Sequence, residues 1–117
     1  MALITITWDL PPEDRMSHYK QRVFLTDENS MAWIPRILKQ KGFKEIRSYR
    51  NPLRTTPQVL VLCEFDTLEA GMEYIQSDHY ASFMSELREV GCTNISVQLW
   101  GTSPMIPEPL KSDIKKN

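Results

Sequence analysis

Four short segments rich in β-branched and aromatic residues alternate with two long stretches of helical periodicity. That order restricts the fold more than any other feature of the chain. The strand-like segments are Leu3–Trp8 (LITITW), Phe43–Arg50 (FKEIRSYR), Val59–Phe65 (VLVLCEF) and Ile95–Trp100 (ISVQLW). Asp9 and the Pro11-Pro12 pair close the first, Gly42 leads into the second, and Asn51-Pro52 ends it. Val59–Phe65 is almost unbroken apolar sequence, which predicts a central strand covered on both faces. Glu13–Lys41 carries two apolar stripes, one of Met16, Tyr19, Val23 and Phe24, the other of Met31, Ile34, Ile37 and Leu38. Capping residues crowd Thr26–Ser30 and Pro35 is poorly tolerated deep in a helix, so a break near Asp27–Ser30 or a kink at Pro35 is expected. Thr67–Val90 opens with Asp66 and Glu69 spaced as a variant capping box, and Gly91 ends it. Leu68, Met72, Ile75, Phe83, Leu87 and Val90 recur there at helical spacing, and Ser77-Asp78 predicts a second cap in mid-course.

The resulting order, β-α-β-β-α-β, predicts an α+β ferredoxin-like fold: a four-stranded antiparallel sheet with both helices on one face. Residues 1–102 form this domain, and Ser103–Asn117 form a Pro-containing tail that either frays or lies as an arm on a partner chain. Strand alternation sends Ile4, Ile6, Val61, Cys63 and Phe65 toward the helices, together with Ile46, Ile95, Val97 and Leu99. The opposite face then carries Leu3, Thr5, Thr7, Arg47, Tyr49, Leu60, Leu62 and Trp100. A patch of that apolarity is seldom left in water. It predicts a homodimer through the sheet face, a dimeric α/β barrel, either with a ligand pocket at or beside the interface or as a wet interface only.

Composition removes several functions. The chain's 117 residues make one domain, and 14 Lys and Arg against 15 Asp and Glu leave a formal charge of -1. That balance argues against a nucleic-acid partner bound through many phosphates. The N-terminal MALITITWDLPPED lacks the basic region and apolar core of a secretion signal. No run approaches the about 18 apolar residues of a membrane span. A cytoplasmic protein without a membrane partner is therefore expected. Cys63 and Cys92 are too few for a disulfide scaffold, and the Cys and His spacings give no metal signature, so neither a metal nor another cofactor is expected.

His79 is the leading candidate for acid-base work, because an imidazole titrates near neutral pH. Its plainer reading is a helix histidine bonded to a carboxylate or the backbone. His18, among Arg15, Lys20 and Arg22, reads as solvated. Arg47 reads either as the cross-strand partner of Asp9 or Glu64, or as a clamp for a carboxylate or phenolate. Trp8, Trp33 and Trp100 read first as core or interface residues and second as aromatic clamps.

The run FDTLEAGMEYIQSDHYASFMSEL, Phe65–Leu87, resembles the second-helix region of the antibiotic-biosynthesis monooxygenase family of small dimeric α/β-barrel proteins. The family's aromatic or His, then Ser, then His-aromatic, then Phe fall on Tyr74, Ser77, His79, Tyr80 and Phe83. Lys41-Gly42-Phe43 stands where the family often has Pro-Gly-Phe. The resemblance spans about residues 3–100 and implies a homodimer. Members include cofactor-independent quinol oxygenases and haem-degrading enzymes. The first strand here has no Asn and the second helix no Trp, so haem degradation is not expected. Asn29 and Trp33, four apart, are similar to an Asn and Trp near the pocket of polyketide-type members. The resemblance implies a cofactor-independent monooxygenase acting on an aromatic or quinol-like molecule between sheet and helices. His79 would transfer the proton, Arg47 and Tyr49 would orient an anionic oxygen, Trp33 or Trp100 would stack, and Tyr80 would stand beside them. The alternative is a non-catalytic barrel that binds a small molecule or only itself. An enzyme predicts that His79, Arg47 and one aromatic converge on a single cavity.

Overall fold

The computed structural model describes residues 1–25 and 32–114. Its four strands are β1 (Ala2–Asp9), β2 (Phe43–Arg50), β3 (Val59–Phe65) and β4 (Thr93–Gly101). They form one antiparallel sheet in the order β2-β3-β1-β4, the arrangement that the element order predicts. A 3-10 turn leads into α1 (Met16–Tyr19), which runs on through a π-helical turn, Lys20–Phe24. Then come α2 (Trp33–Ile37), α3 (Leu68–Ile75) and α4 (Asp78–Glu89).

The expected break at Asp27–Ser30 lies outside the described residues, as do Asn29 and Met31. Pro35 does not kink a long helix. It is the third residue of the five-residue α2, within the first turn, where backbone N–H groups have no intrahelical partner to lose. The second stretch divides at Ser77 as expected: its hydroxyl accepts from the Tyr80 N–H at 3.1 Å and donates to the Tyr74 carbonyl at 2.6 Å. The start of α3 differs from the expectation, because Thr67 rather than Asp66 caps it, accepting from the Ala70 N–H at 3.1 Å. Gly42 turns the chain into β2 with φ +77°, and a Cβ there would stand 2.7 Å from that of Ala70. Only glycine combines that backbone angle with that closeness.

Register explains the core. Ile4 lies between Cys63 and Leu99, and Ile6 between Val61 and Val97, so alternate residues of three strands reach one face. Ile4, Ile6, Trp8, Val61, Cys63 and Phe65 are buried there against Trp33, Phe83 and Leu87 from the helices. Leu68 and Met72, although at helical spacing, are 44% and 47% exposed and stay outside this core. Val59–Phe65 is fully covered on its helix side only, since Leu60, Leu62 and Glu64 on the other side are half-buried.

The open face carries Leu3, Thr5 and Thr7 beside Leu60, Leu62, Gln98 and Trp100. Several of its polar groups bond to one another. Trp100 Nε1 donates to Thr5 Oγ1 at 2.8 Å, Thr5 to Gln98 Oε1 at 3.3 Å, and Gln98 Nε2 to Ser96 Oγ at 2.9 Å. Arg47 pairs with Glu45 at 2.8 Å, its neighbour on the same face of β2, rather than with Asp9 or Glu64. Asp9 instead fastens the β2–β3 hairpin and β4 to the end of β1: its carboxylate accepts from Thr56 Oγ1, Asn94 Nδ2 and the Gln58 N–H. In the tail, Met105, Leu110 and Ile114 are 79–87% exposed, so they do not cover the chain's own sheet. Among the described residues no helix is long and apolar enough to cross a membrane.

Candidate functional site

The end of α3 and the start of α4 bring Tyr74 and His79 together, because the Ser77 cap makes the chain turn between them. Tyr74 Oη lies 2.9 Å from His79 Nδ1, and Trp33 Nε1 donates to the same oxygen at 2.9 Å. The three side chains form a hydrogen-bonded line from the buried centre toward a half-buried imidazole. Trp33 is fully buried and stacks on Phe83 with centroids 3.8 Å apart, so its indole is fixed before it reaches Tyr74. The Tyr80 ring stands edge-on to Tyr74 at 5.9 Å.

Electrostatics keep this imidazole neutral. Burial and, second, the Arg36 guanidinium both lower the His79 pKa below its ordinary value of 6.5. Arg36 is itself held by Glu86 at 2.8 Å, which ties α2 to α4. Burial, working against the Trp33 hydrogen bond, pushes the Tyr74 phenol well above its ordinary range, so it remains protonated. His79 Nε2 and Glu86 Oε2 are buried polar atoms without a hydrogen-bond partner among the described residues. Two tautomers satisfy the line. With Tyr74 donating to Nδ1, Nε2 carries a proton and is a donor. With Nδ1 donating to Tyr74, whose oxygen then accepts twice, Nε2 is a free base.

The residues singled out in the sequence divide between two places. His79, Trp33 and Tyr80 gather on the helix side around Tyr74. Arg47, Tyr49 and Trp100 stand on the open face, where Arg47 is opposite Leu62 and Tyr49 opposite Leu60. The sheet lies between the two groups, so the expected convergence of His79 and Arg47 on one cavity does not occur. Strand alternation is the reason, because Arg47 and Tyr49 share the parity of Leu60 and Leu62. Trp33, with no exposed surface, can position Tyr74 but has no free ring face for a ligand. Trp8 is likewise a core residue, donating to Tyr19 Oη at 3.0 Å. Burial pushes the Cys63 thiol up to about 12, which leaves it inert. Among the described residues no group of three or more His, Cys, Asp or Glu could hold a metal ion.

Sequence reasoning missed a second feature. An apolar groove of about 460 Å³ opens between the π-helical turn and the end of β2. Met16, Tyr19, Phe24, Leu25 and Val59 form its walls, and Lys20, Gln21, Ser48 and Arg50 supply its polar groups. The signal was present in β2, where Ser48 and Arg50 have the helix-side parity of Ile46 yet are polar.

Comparison with solved structures agrees with this architecture. A proposed antibiotic biosynthesis monooxygenase from Deinococcus radiodurans superposes with a TM-score of 0.67 at 11% identity, covering 96% of this chain and 98% of that one. A protein of the same description from Nitrosomonas europaea gives 0.59 at 7% identity, over 86% and 97%. SnoaB, a cofactor-independent oxygenase from Streptomyces nogalater, gives 0.56 at 13%, over 92% and 95%. The chain therefore has the fold of the antibiotic biosynthesis monooxygenase-like proteins, as the resemblance at Phe65–Leu87 implied. No protein-family profile matches it, and no curated protein matches it in sequence.

Proposed function

We propose that this chain is a homodimeric, cofactor-independent monooxygenase-like enzyme for an aromatic or quinol-like molecule, with His79 as the proton-transfer group. The supporting observation is the Trp33–Tyr74–His79 line, which fixes one ring nitrogen and leaves the other buried without a partner among the described residues. A base must be neutral before it acts, and the lowered pKa of His79 meets that condition at pH 7. In such chemistry the substrate itself reduces oxygen. For an anthrone-like compound, His79 removes a proton from the ring methylene and the carbanion gives its electrons to O2. One oxygen atom remains as the new carbonyl and the other leaves as water. The protein's share is deprotonation and orientation. Trp33 and Tyr80 hold this site in shape, while Arg47, Tyr49 and Trp100 belong to the face that meets the second subunit. The tail, residues 103–117, which is exposed over 103–114, is an arm for that subunit. The expected location is the cytoplasm.

Oxygen uptake with a panel of quinols and anthrone-like phenols tests this reading. Wild type should exceed His79→Ala by at least about 100-fold, the ordinary worth of a positioned base. Equal, background-level uptake by both would reject it for that panel. A second reading, a non-catalytic small-molecule-binding barrel, is favoured by one observation: the groove beside α1 is lined by residues other than His79.

A further inference from the structure

We propose that the groove between the π-helical turn and β2 is a binding site for a small aromatic carboxylate, with Arg50 holding the carboxylate and Lys20 reinforcing it. This inference stands whether or not His79 is a catalyst. The groove exists because of two local features. Lys20–Phe24 winds as a π turn, in which the Leu25 N–H bonds back five residues to the Lys20 carbonyl at 3.0 Å. The wider turn carries Tyr19, Lys20 and Phe24 along one wall, and such turns occur often at functional sites. Beneath it, the edge strand β2 ends in Ser48 and Arg50 on the helix side, where the inner strands carry Val and Ile.

Size and chemistry both select the ligand. A volume of about 460 Å³ falls within the range of small-molecule sites, about 300–1,000 Å³. The half-buried Phe24 ring gives an aromatic wall beside Met16, and the buried Tyr19 ring backs it edge-on at 5.5 Å. The Tyr19 hydroxyl accepts from Trp8 and is pushed up to about 12, chiefly by burial, so it offers no competing charge. Arg50 lines the same groove as the Tyr19 and Phe24 rings. Neither Arg50 nor Lys20 has a carboxylate partner among the described residues. Two cations without an ion-pair partner among the described residues, at the edge of an apolar groove, fit an anion with an apolar body. The planar fork of Arg matches a carboxylate in bidentate fashion, and the Ser48 hydroxyl is an additional donor on the same face of the strand. The site lies on the helix side of the sheet, opposite the face proposed to pair.

Titration of the full chain with 1-naphthoate, followed by calorimetry and by backbone amide shifts, tests this. Saturable one-to-one binding is expected, with the largest shifts at Ser48, Arg50 and Val59, and 1-naphthylmethanol should bind at least about tenfold more weakly. Arg50→Met together with Lys20→Met should weaken 1-naphthoate by about tenfold or more and leave the alcohol unchanged. Both positions are exposed, so the variant is expected to fold, and its unshifted core amides would verify that. Ser48→Trp, which fills the groove, should abolish binding of both compounds. Equal affinity for acid and alcohol, binding undiminished in the double variant, or shifts clustered elsewhere would overturn the proposal. His79→Ala should bind 1-naphthoate as wild type does, which separates this result from the fate of the oxygenase reading.

Discussion

The two faces of the sheet use alternate residues of the same strands, and each carries tryptophan bonded to a hydroxyl. On the helix side Trp8 donates to Tyr19 and Trp33 to Tyr74, and both indoles are fully buried. On the open side Trp100 donates to Thr5 in the same manner, yet its ring is 53% exposed. The difference lies in coverage rather than in polar bookkeeping. Because the Trp100 indole and the Thr5 hydroxyl of the open face are already bonded internally, a second surface can cover those two groups without orphaning either, which would cost about 1–3 kcal/mol each. The helix side shows what such a face becomes once it is covered.

Coverage weighs most at Phe83, whose ring packs between Trp8 and Trp33. Phe83→Ala should cost about 3–5 kcal/mol in urea unfolding. Trp100→Ala, measured in a Leu62→Arg background that keeps the open face unpaired, should leave the chain folded with a loss several-fold smaller. Similar losses for the two would mean that the faces are equally covered.

Tyr74→Phe sharpens the contrast at the level of single hydrogen bonds. It deprives the Trp33 N–H and His79 Nδ1 of their shared hydroxyl in a buried place, and a loss of about 1–3 kcal/mol is expected. Measured in a Leu62→Arg background, in which the face stays unpaired, Thr5→Val removes the matching hydroxyl under Trp100 where water can replace it, so its loss should stay under about 1 kcal/mol.

A smaller effect is set by pH. The folded pKa of His79 lies below the 6.5 of the unfolded chain, so the unfolded state takes up a proton first as pH falls. Stability should therefore decline as pH drops below 6.5 and level off once the folded pKa is passed. His79→Gln should remove that part of the slope, and a curve parallel to wild type would contradict the assignment.

Much of this architecture was legible because alternation and helical spacing are local properties. LITITW and VLVLCEF place their buried residues by parity alone, and Ser77 is visible as a cap from its position before Asp78. The site was less legible for two reasons. Parity separates Arg47 from His79, but only the register to Leu62 makes that separation certain. The Tyr74–His79 contact depends on how the chain turns at Ser77, and the groove depends on a π turn that no spacing rule announces. Leu68 and Met72 show the opposite failure, helical spacing without burial, because α3 turns the face of Gly71 and Tyr74 to the core instead.

The smallest expected change is at Asp9, whose carboxyl is held below its usual range first by Asn94 and then by Thr56. A depressed folded pKa gives stability that is present above 3.8 and lost as pH falls through the folded value. Asp9→Asn should thus lower the melting temperature at pH 7 and converge with wild type in strong acid. An equal deficit at every pH would assign the effect to hydrogen-bond geometry alone.

Sedimentation equilibrium over a hundredfold range of concentration probes most directly whether the open face is an interface. Wild type should sediment at twice the chain mass. Leu62→Arg, which sets a charge amid Thr5, Arg47 and Leu60, should sediment as a folded single chain. A wild-type protein of single-chain mass at every concentration would contradict the account.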